Sequence, residues 1–234
     1  MVSEEKNPEQ ILIEQLDKQI MNRNDISFAA IRINDFPYPL TDAEEELMQQ
    51  YRNPKRQQEY RAGRWAAKCA VAALLPGSGT RQVEILRTPG GAPYVKELPE
   101  LSVSISHSAA VAVAVAAFFP VGIDIEQNEA RPQALINQFY SSTECACFKR
   151  LQGEELVINQ NLAWTYKEAV AKLVKKGGTL DFRKICSVNR SFPAGISLTR
   201  LRVYSFAAAG YALTLVCSPA RRRDYGRKEF PLCR

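Results

Sequence analysis

The 234-residue chain has a single histidine, His107, along with two tryptophans and three methionines. One histidine excludes a multi-histidine metal centre and argues against a Ser–His–Asp hydrolase. No two of the six cysteines, Cys69, Cys145, Cys147, Cys186, Cys217 and Cys233, are spaced C-x-x-C. A chain of this size has no need of a disulfide framework, so all six are expected to be free thiols in a reducing cytosol. Walker-type loops, G-x-G-x-x-G and G-x-S-x-G sequences are missing, which removes the common nucleotide-loop and nucleophile-elbow classes. The longest apolar run, Ala109 to Phe119, is eleven residues and too short to cross a bilayer. The first twenty residues have no apolar core of the kind a secretory signal needs.

What is present is an ordinary globular balance: 46% apolar and 24% charged residues, 12 glycines, 13 prolines and a net charge of +6. Disorder, collagen and coiled coil are excluded, and the length suits one large domain or two small ones sharing a core. The charge is unevenly placed. Residues 1–50 hold 4 basic and 11 acidic side chains, residues 51–68 hold 6 basic and one acidic, and residues 220–234 hold 6 basic and 2 acidic. The tail has the composition of a solvated charge run, whereas the 51–68 cluster runs into an apolar helical pattern and is a candidate anion site.

Residues 41–74 predict a helix, opened by Thr41-Asp42 and stopped by Leu75-Pro76-Gly77. A hairpin is expected over 81–95 around Pro89-Gly90-Gly91, then a strand at LSVSIS, a turn at His107-Ser108, and strands at AVAVAVAAFF and VGIDIE. Ser141 and Glu144 have capping-box spacing. NLAWTYKEAVAKLVKK is a helix closed by Gly177-Gly178, and 182–217 offers three strand candidates ending in YALTLVC.

This order repeats itself. Trp65 to Leu74 aligns with Trp164 to Leu173 at an offset of 99, with six of ten positions identical, and RVYSFAAAGYALTLV echoes the strand–turn–strand around His107. The expected fold is therefore α+β (α/β): two similar halves, 1–121 and 122–234, related by an approximate twofold, each an antiparallel-type sheet packed on a long helix. A cleft between such halves favours a ligand.

Asp124 and Glu126 stand two apart in VGIDIE and share one face of a strand. Adjacent carboxylates repel and call for a cation, and Mg²⁺, a hard ion with oxygen ligands, fits that need; a solvent-facing acidic strand is the ordinary alternative. Glu168 and Lys172 are four apart on the second long helix, where the plain alternative is a surface ion pair. Their counterparts in the first copy are Cys69 and Ala73. The copies agree at packing positions and differ where one has an acid and a base, the pattern of a site present in one half only. His107, in SISHSAA, gains a role only if its turn lies near these carboxylates.

The sequence SISHS before an alanine/valine-rich strand, then VGIDIE, FYSSTE and WTYKEAVAK, resembles the Sfp-type 4′-phosphopantetheinyl transferase family from about Arg61 to Gly178, with a continuation to Cys217. IDIE and W-x-x-KEA-x-x-K, about forty residues apart, are the specific pair. The resemblance implies that coenzyme A donates its phosphopantetheine arm to a serine of an acyl or peptidyl carrier protein, releasing 3′,5′-ADP. It further implies that Asp124, Glu126 and Glu168 ligate Mg²⁺ (or Mn²⁺), that His107 contacts a coenzyme A phosphate and Lys172 the phosphate chain, that Ser106 binds coenzyme A, and that Arg61, Arg64 and Lys68 hold the nucleotide end. Gly91 and Pro93 belong to the family's G-K-P-x stretch, in which this chain has Ala92 in place of the lysine.

Glu168 is then the candidate general base, directly or through a metal-bound water, with Lys172 and His107 as the other catalytic groups. The N-terminal half would carry the coenzyme A contacts, and the C-terminal half the metal site and carrier-protein docking. The carrier is expected to present an acidic helix beside its serine. A cytoplasmic monomer without membrane or nucleic-acid partners follows from this reading. Its rivals are a metal-dependent nuclease and a basic nucleic-acid-binding module.

Overall fold

A computed structural model describes residues 6–20, 23–34, 37–75, 77, 79–176, 179–193 and 201–218. The basic tail 220–234, Cys233, Pro76, Gly177-Gly178 and the 194–200 part of the strand candidates lie outside the described residues.

The chain runs α1 (Pro8–Ile20), β1 (Ile26–Arg32), α2 (Asp42–Gln49), α3 (Pro54–Leu74), β2 (Ile85–Arg87), β3 (Pro93–Val95), β4 (Ser102–Ser108), β5 (Val111–Ala117), β6 (Val121–Gln127), α4 (Gln133–Phe139), α5 (Ser142–Phe148), α6 (Gly153–Leu173), β7 (Arg202–Ala208) and β8 (Tyr211–Cys217). The expected single helix over 41–74 is two helices. Thr41 and Glu44 form a capping box that starts α2, and the side chain of Asn53 then accepts from Lys55 N at 2.9 Å to cap a new helix with Pro54 in its first turn. Proline disfavours helical backbone in the residue before it, so the break belongs at Asn53.

Two three-stranded antiparallel sheets, ordered β1-β5-β4 and β6-β8-β7, carry the fold, and β2 and β3 form the expected hairpin. The sheets pack face to face over one core. β5 sends Val111, Val113, Val115 and Ala117 into it, and β6 and β8 send Ile123, Ile125, Leu213 and Leu215. The other face of β5, with Ala114 and Ala116, packs under α3 beside Ala66, Ala67 and Ala70. The valine/alanine alternation thus serves two layers: branched residues fill the space between sheets, and alanines let a helix approach closely. On the opposite side Val216 packs against Ala169, Val170 and Leu173 of α6. Leu12, Leu16 and Ile20 of α1 close the core, with α1 touching both β1 and β7.

Equivalent elements recur in the two parts. α3 and α6 are both 21 residues long, and each sheet has its last strand at its centre. Glu44 and Glu144 both close capping boxes and both pair with a fully buried lysine of the long helix, Lys68 and Lys167, at 2.7 Å. Between 182 and 217, the described residues form two strands, preceded by a 3₁₀ turn at Phe182–Lys184 and an isolated bridge from Cys186 to Ser191.

Gly122 lets β6 meet α6. A Cβ there would overlap the Ala169 carbonyl oxygen and sit 2.7 Å from Leu173 N, both backbone atoms that cannot swing aside. Gly122→Ala is expected to lower stability by about 3 kcal/mol, the upper end of overpacking costs, read from denaturant unfolding.

Candidate active site

β4 ends one sheet and β6 begins the other; Ser106 of β4 reaches Asp124 of β6, and His107, the next residue, lies near enough to feel the charges of Lys172 and Asp124. His107 lies within β4, paired with Ala112, and not at a turn as expected: the chain reverses at Ala109 (φ 49°) and Ala110. His107 Nδ1 is 3.9 Å from Glu59 Oε2, and Glu59 is also held by Arg56 at 3.0 Å. Burial pushes the imidazole below its ordinary pKa. Glu59 pulls it upward and Lys172 adds to the lowering.

Asp124 is buried. Its Oδ1 accepts from Ser106 Oγ at 2.7 Å and from Lys172 Nζ at 2.6 Å, while its Oδ2 has no hydrogen-bond partner. Lys172 also reaches the carbonyl of Ile123 at 3.2 Å. The helical i, i+4 pair of Glu168 with Lys172 does not form an ion pair; the lysine crosses to β6 instead. Glu126 takes the indole N–H of Trp164 at 3.2 Å and lies 3.7 Å from Arg131, whose guanidinium stands 4.8 Å over the Trp164 ring. Burial, and then repulsion from Asp124, raises both the Glu126 and the Glu168 carboxyls; Lys172 and Arg131 act in the opposite direction.

The charge of Asp124 thus raises the carboxyls of both Glu126 and Glu168, and its own buried Oδ2 is unsatisfied. That donor set fits a hard divalent cation. No group of three or more His, Cys, Asp or Glu among the described residues is already gathered at ligand distance, and the cation on Asp124 is Lys172.

Other expected site residues are placed elsewhere. Lys68 is not free to hold a nucleotide: it is fully buried, paired to Glu44 and donating to the Val83 carbonyl at 2.7 Å. Arg61 is tied to Glu45 at 2.7 Å and to the Tyr38 carbonyl at 2.9 Å. Most of the basic cluster thus has acidic partners or lies within the fold. Arg64 differs. It is buried with its guanidinium 4.5 Å over the Tyr60 ring, and its Nε and Nη2 have no hydrogen-bond partner. Burial lowers its pKa, yet an arginine remains charged. Gly91 (φ 82°) and Pro93 shape the β2–β3 hairpin, where Arg87 sits opposite Pro93 and stacks on Tyr51 and Tyr60; β3 packs on β4. Cys69, the counterpart of Glu168, is half-buried with its thiol pKa raised by burial.

Sequence reasoning missed Arg131 and Glu59. Neither lies at a motif spacing from the residue it faces. The buried glutamate–lysine pairs were signalled only by capping-box spacing and by a lysine repeated in both copies.

Residues 43–117 match the 4′-phosphopantetheinyl transferase N-terminal domain, and residues 120–216 match the 4′-phosphopantetheinyl transferase superfamily. A holo-[acyl-carrier-protein] synthase of Streptococcus suis is 38% identical over 90 residues, 36% of this chain and 76% of the relative. A 4′-phosphopantetheinyl transferase of Bacillus subtilis is 30% identical over 90 residues, 38% of this chain and 40% of the relative. Among solved structures, a Bacillus anthracis holo-(acyl-carrier-protein) synthase in complex with CoA (3′,5′-ADP) is 28% identical, covering 39% of this chain and 92% of that one with a TM-score of 0.34. The matched segments hold Ser106, His107, the IDIE strand and the helix bearing Glu168 and Lys172, and on them the chain belongs to the 4′-phosphopantetheinyl transferase superfamily.

Proposed function

We propose that this chain transfers 4′-phosphopantetheine from coenzyme A to the hydroxyl of a serine on an acyl or peptidyl carrier protein, with Mg²⁺ and with release of 3′,5′-ADP. The observation that carries this reading is the buried Asp124 carboxylate, paired with Lys172 at 2.6 Å and with its second oxygen unsatisfied, on the strand that also bears Glu126 and against the helix that bears Glu168.

Asp124, Glu126 and Glu168 would hold the metal, which supplies charge neutralisation on the pyrophosphate. Lys172, freed from Asp124, turns its ammonium to a phosphate oxygen. Glu168, directly or through a water, would accept the serine proton as the serine oxygen bonds to phosphorus and 3′,5′-ADP departs. His107 donates to a phosphate from the β4 side, and Trp164 and Arg131 keep Glu126 aimed at the site. Support for two halves related by an approximate twofold comes from the matched capping boxes, buried pairs and strand orders, with the boundary near residue 121. A cytoplasmic monomer remains part of this proposal.

The direct experiment is incubation with coenzyme A, Mg²⁺ and a panel of apo-carrier proteins, read by intact mass. One phosphopantetheine added to a carrier is expected, and none after EDTA; full activity after thorough chelation removes the metal from the mechanism. Arg64 provides a second test. Its two unpartnered donors suit the extra phosphate of coenzyme A, so Arg64→Ala should weaken coenzyme A by about 1.5–3 kcal/mol more than dephospho-coenzyme A. Equal losses for both ligands place Arg64 outside that pocket.

A further inference from the structure

β4 carries serine at every second position, Ser102, Ser104, Ser106 and Ser108, all directed to β6 of the other sheet. At three rungs the hydroxyl accepts a backbone N–H: Val121 N to Ser102 at 3.3 Å, Ile123 N to Ser104 at 3.1 Å, and Gln127 N to Ser108 at 2.9 Å. This serine seam satisfies the edge of β6 without a backbone ladder, and it fixes the register of one sheet against the other. At the fourth rung the pattern changes. Ser106 Oγ turns away from the backbone and donates to Asp124 Oδ1 at 2.7 Å, inside the fold.

We propose that Ser106 is a positioning residue: it fixes the rotation of the Asp124 carboxylate so that Oδ2 faces the cation, linking the alignment of the two sheets to metal affinity. The inference rests on the metal reading above. With Oδ1 occupied by Ser106, the carboxylate cannot turn freely when Lys172 leaves it, and the oxygen left open is the one presented to the metal. A hydroxyl partner behind a ligating carboxylate acts as outer-shell partners do elsewhere, where their removal costs about 10–100-fold in metal affinity. This places Ser106 behind the metal ligand, in contrast to the coenzyme A contact expected from the sequence.

The test compares Ser106→Ala, Ser106→Thr and Ser102→Ala in the full chain, titrating Mn²⁺ without coenzyme A by calorimetry and by the shift in melting temperature. Each alanine variant loses one hydrogen bond between β4 and β6, to the Val121 N–H in Ser102→Ala and to Asp124 in Ser106→Ala, and the two are expected to melt at similar temperatures. Only Ser106→Ala should weaken Mn²⁺ by about 10–100-fold. Ser106→Thr, which keeps the hydroxyl, should restore most of the affinity. In turnover, kcat should fall at fixed Mg²⁺ and recover at high Mg²⁺, with KM for coenzyme A little changed. A parent that binds Mn²⁺ while Ser106→Ala binds it equally well overturns the proposal alone. So does an equal loss in Ser102→Ala, which makes the effect one of seam stability. A parent with no Mn²⁺ response overturns the metal reading and this one together.

Discussion

Glu168→Gln is expected to cut phosphopantetheine transfer by at least about a hundredfold, while the metal-free chain melts at or above the parental temperature. Glutamine keeps the size and helix propensity of glutamate, so α6 is preserved. What it removes is a carboxylate whose burial, and whose repulsion from Asp124 and Glu126, raise its pKa. The sign of the stability effect follows. A carboxyl with a raised folded-state pKa binds its proton more tightly folded than unfolded, so folding is favoured below its unfolded value and that advantage disappears as pH rises through the folded one.

The metal-free parent should therefore lose stability as pH climbs out of the ordinary carboxylate range. Glu168→Gln should flatten that loss, and Mg²⁺ should raise the parental melting temperature but not the variant's. Cys69→Ala, at the matching place in α3, is the contrast: near-parental turnover and a cost of about 1 kcal/mol from a small cavity. Single-turnover rates and melts across pH decide the matter. A fully active Glu168→Gln, or a folded but inactive Cys69→Ala, overturns the one-sided site.

Lys68→Ala is expected to destabilise the chain by about 3–5 kcal/mol, because it strands the Glu44 carboxylate in a water-free interior. Lys68 and Glu44 have 1% and 0% side-chain exposure. Glu44 has further duties, closing the α2 capping box and accepting from Ile85 N at 2.8 Å. The double variant Lys68→Met with Glu44→Gln removes both charges and keeps an acceptor for Ile85, but its single amide oxygen leaves the Thr41 N–H without a partner, so it should recover part of the lost stability. If Lys68 instead held a phosphate of coenzyme A, the double variant would regain its fold and still bind coenzyme A poorly. Calorimetric coenzyme A binding by the double variant, alongside denaturant unfolding of all three variants, separates the two outcomes. Parental affinity is the expected result. The same logic holds for Lys167 and Glu144, where Lys167 and the N–H groups of Ser141 and Ser187 overcome burial and hold the Glu144 carboxyl below its ordinary pKa.

The repeat sorts residues by role more strictly than the sequence reasoning used it. Of the four positions where the copies differ, Glu168 against Cys69 and Lys172 against Ala73 are the two tied to the candidate site, while Thr165 and Tyr166 are buried in the fold. Lys68 with Lys167 is a position where the copies agree and the work is structural. The basic cluster around Lys68 suggested an anion partner because positive residues had collected there, but the acid that neutralises Lys68 lies 24 residues upstream in another helix.

Local patterns along the chain specify the strand carrying Asp124 and Glu126, the helix carrying Glu168 and Lys172, the Ser141–Glu144 capping box, the buried valine/alanine strand and the family. All of these are written in residues a few positions apart, where covalent geometry and hydrogen-bond spacing leave few options. Packing in three dimensions sets the rest: Lys172 meets Asp124 across two elements, Arg131 and Trp164 hold Glu126, His107 stays inside its strand while alanine makes the turn, and three serines of β4 satisfy the backbone of β6 while a fourth holds a carboxylate. A charge or a hydroxyl takes its partner from whatever packing brings within about 3 Å. That choice depends on how the two sheets and their helices are stacked, and no local pattern along the chain encodes it.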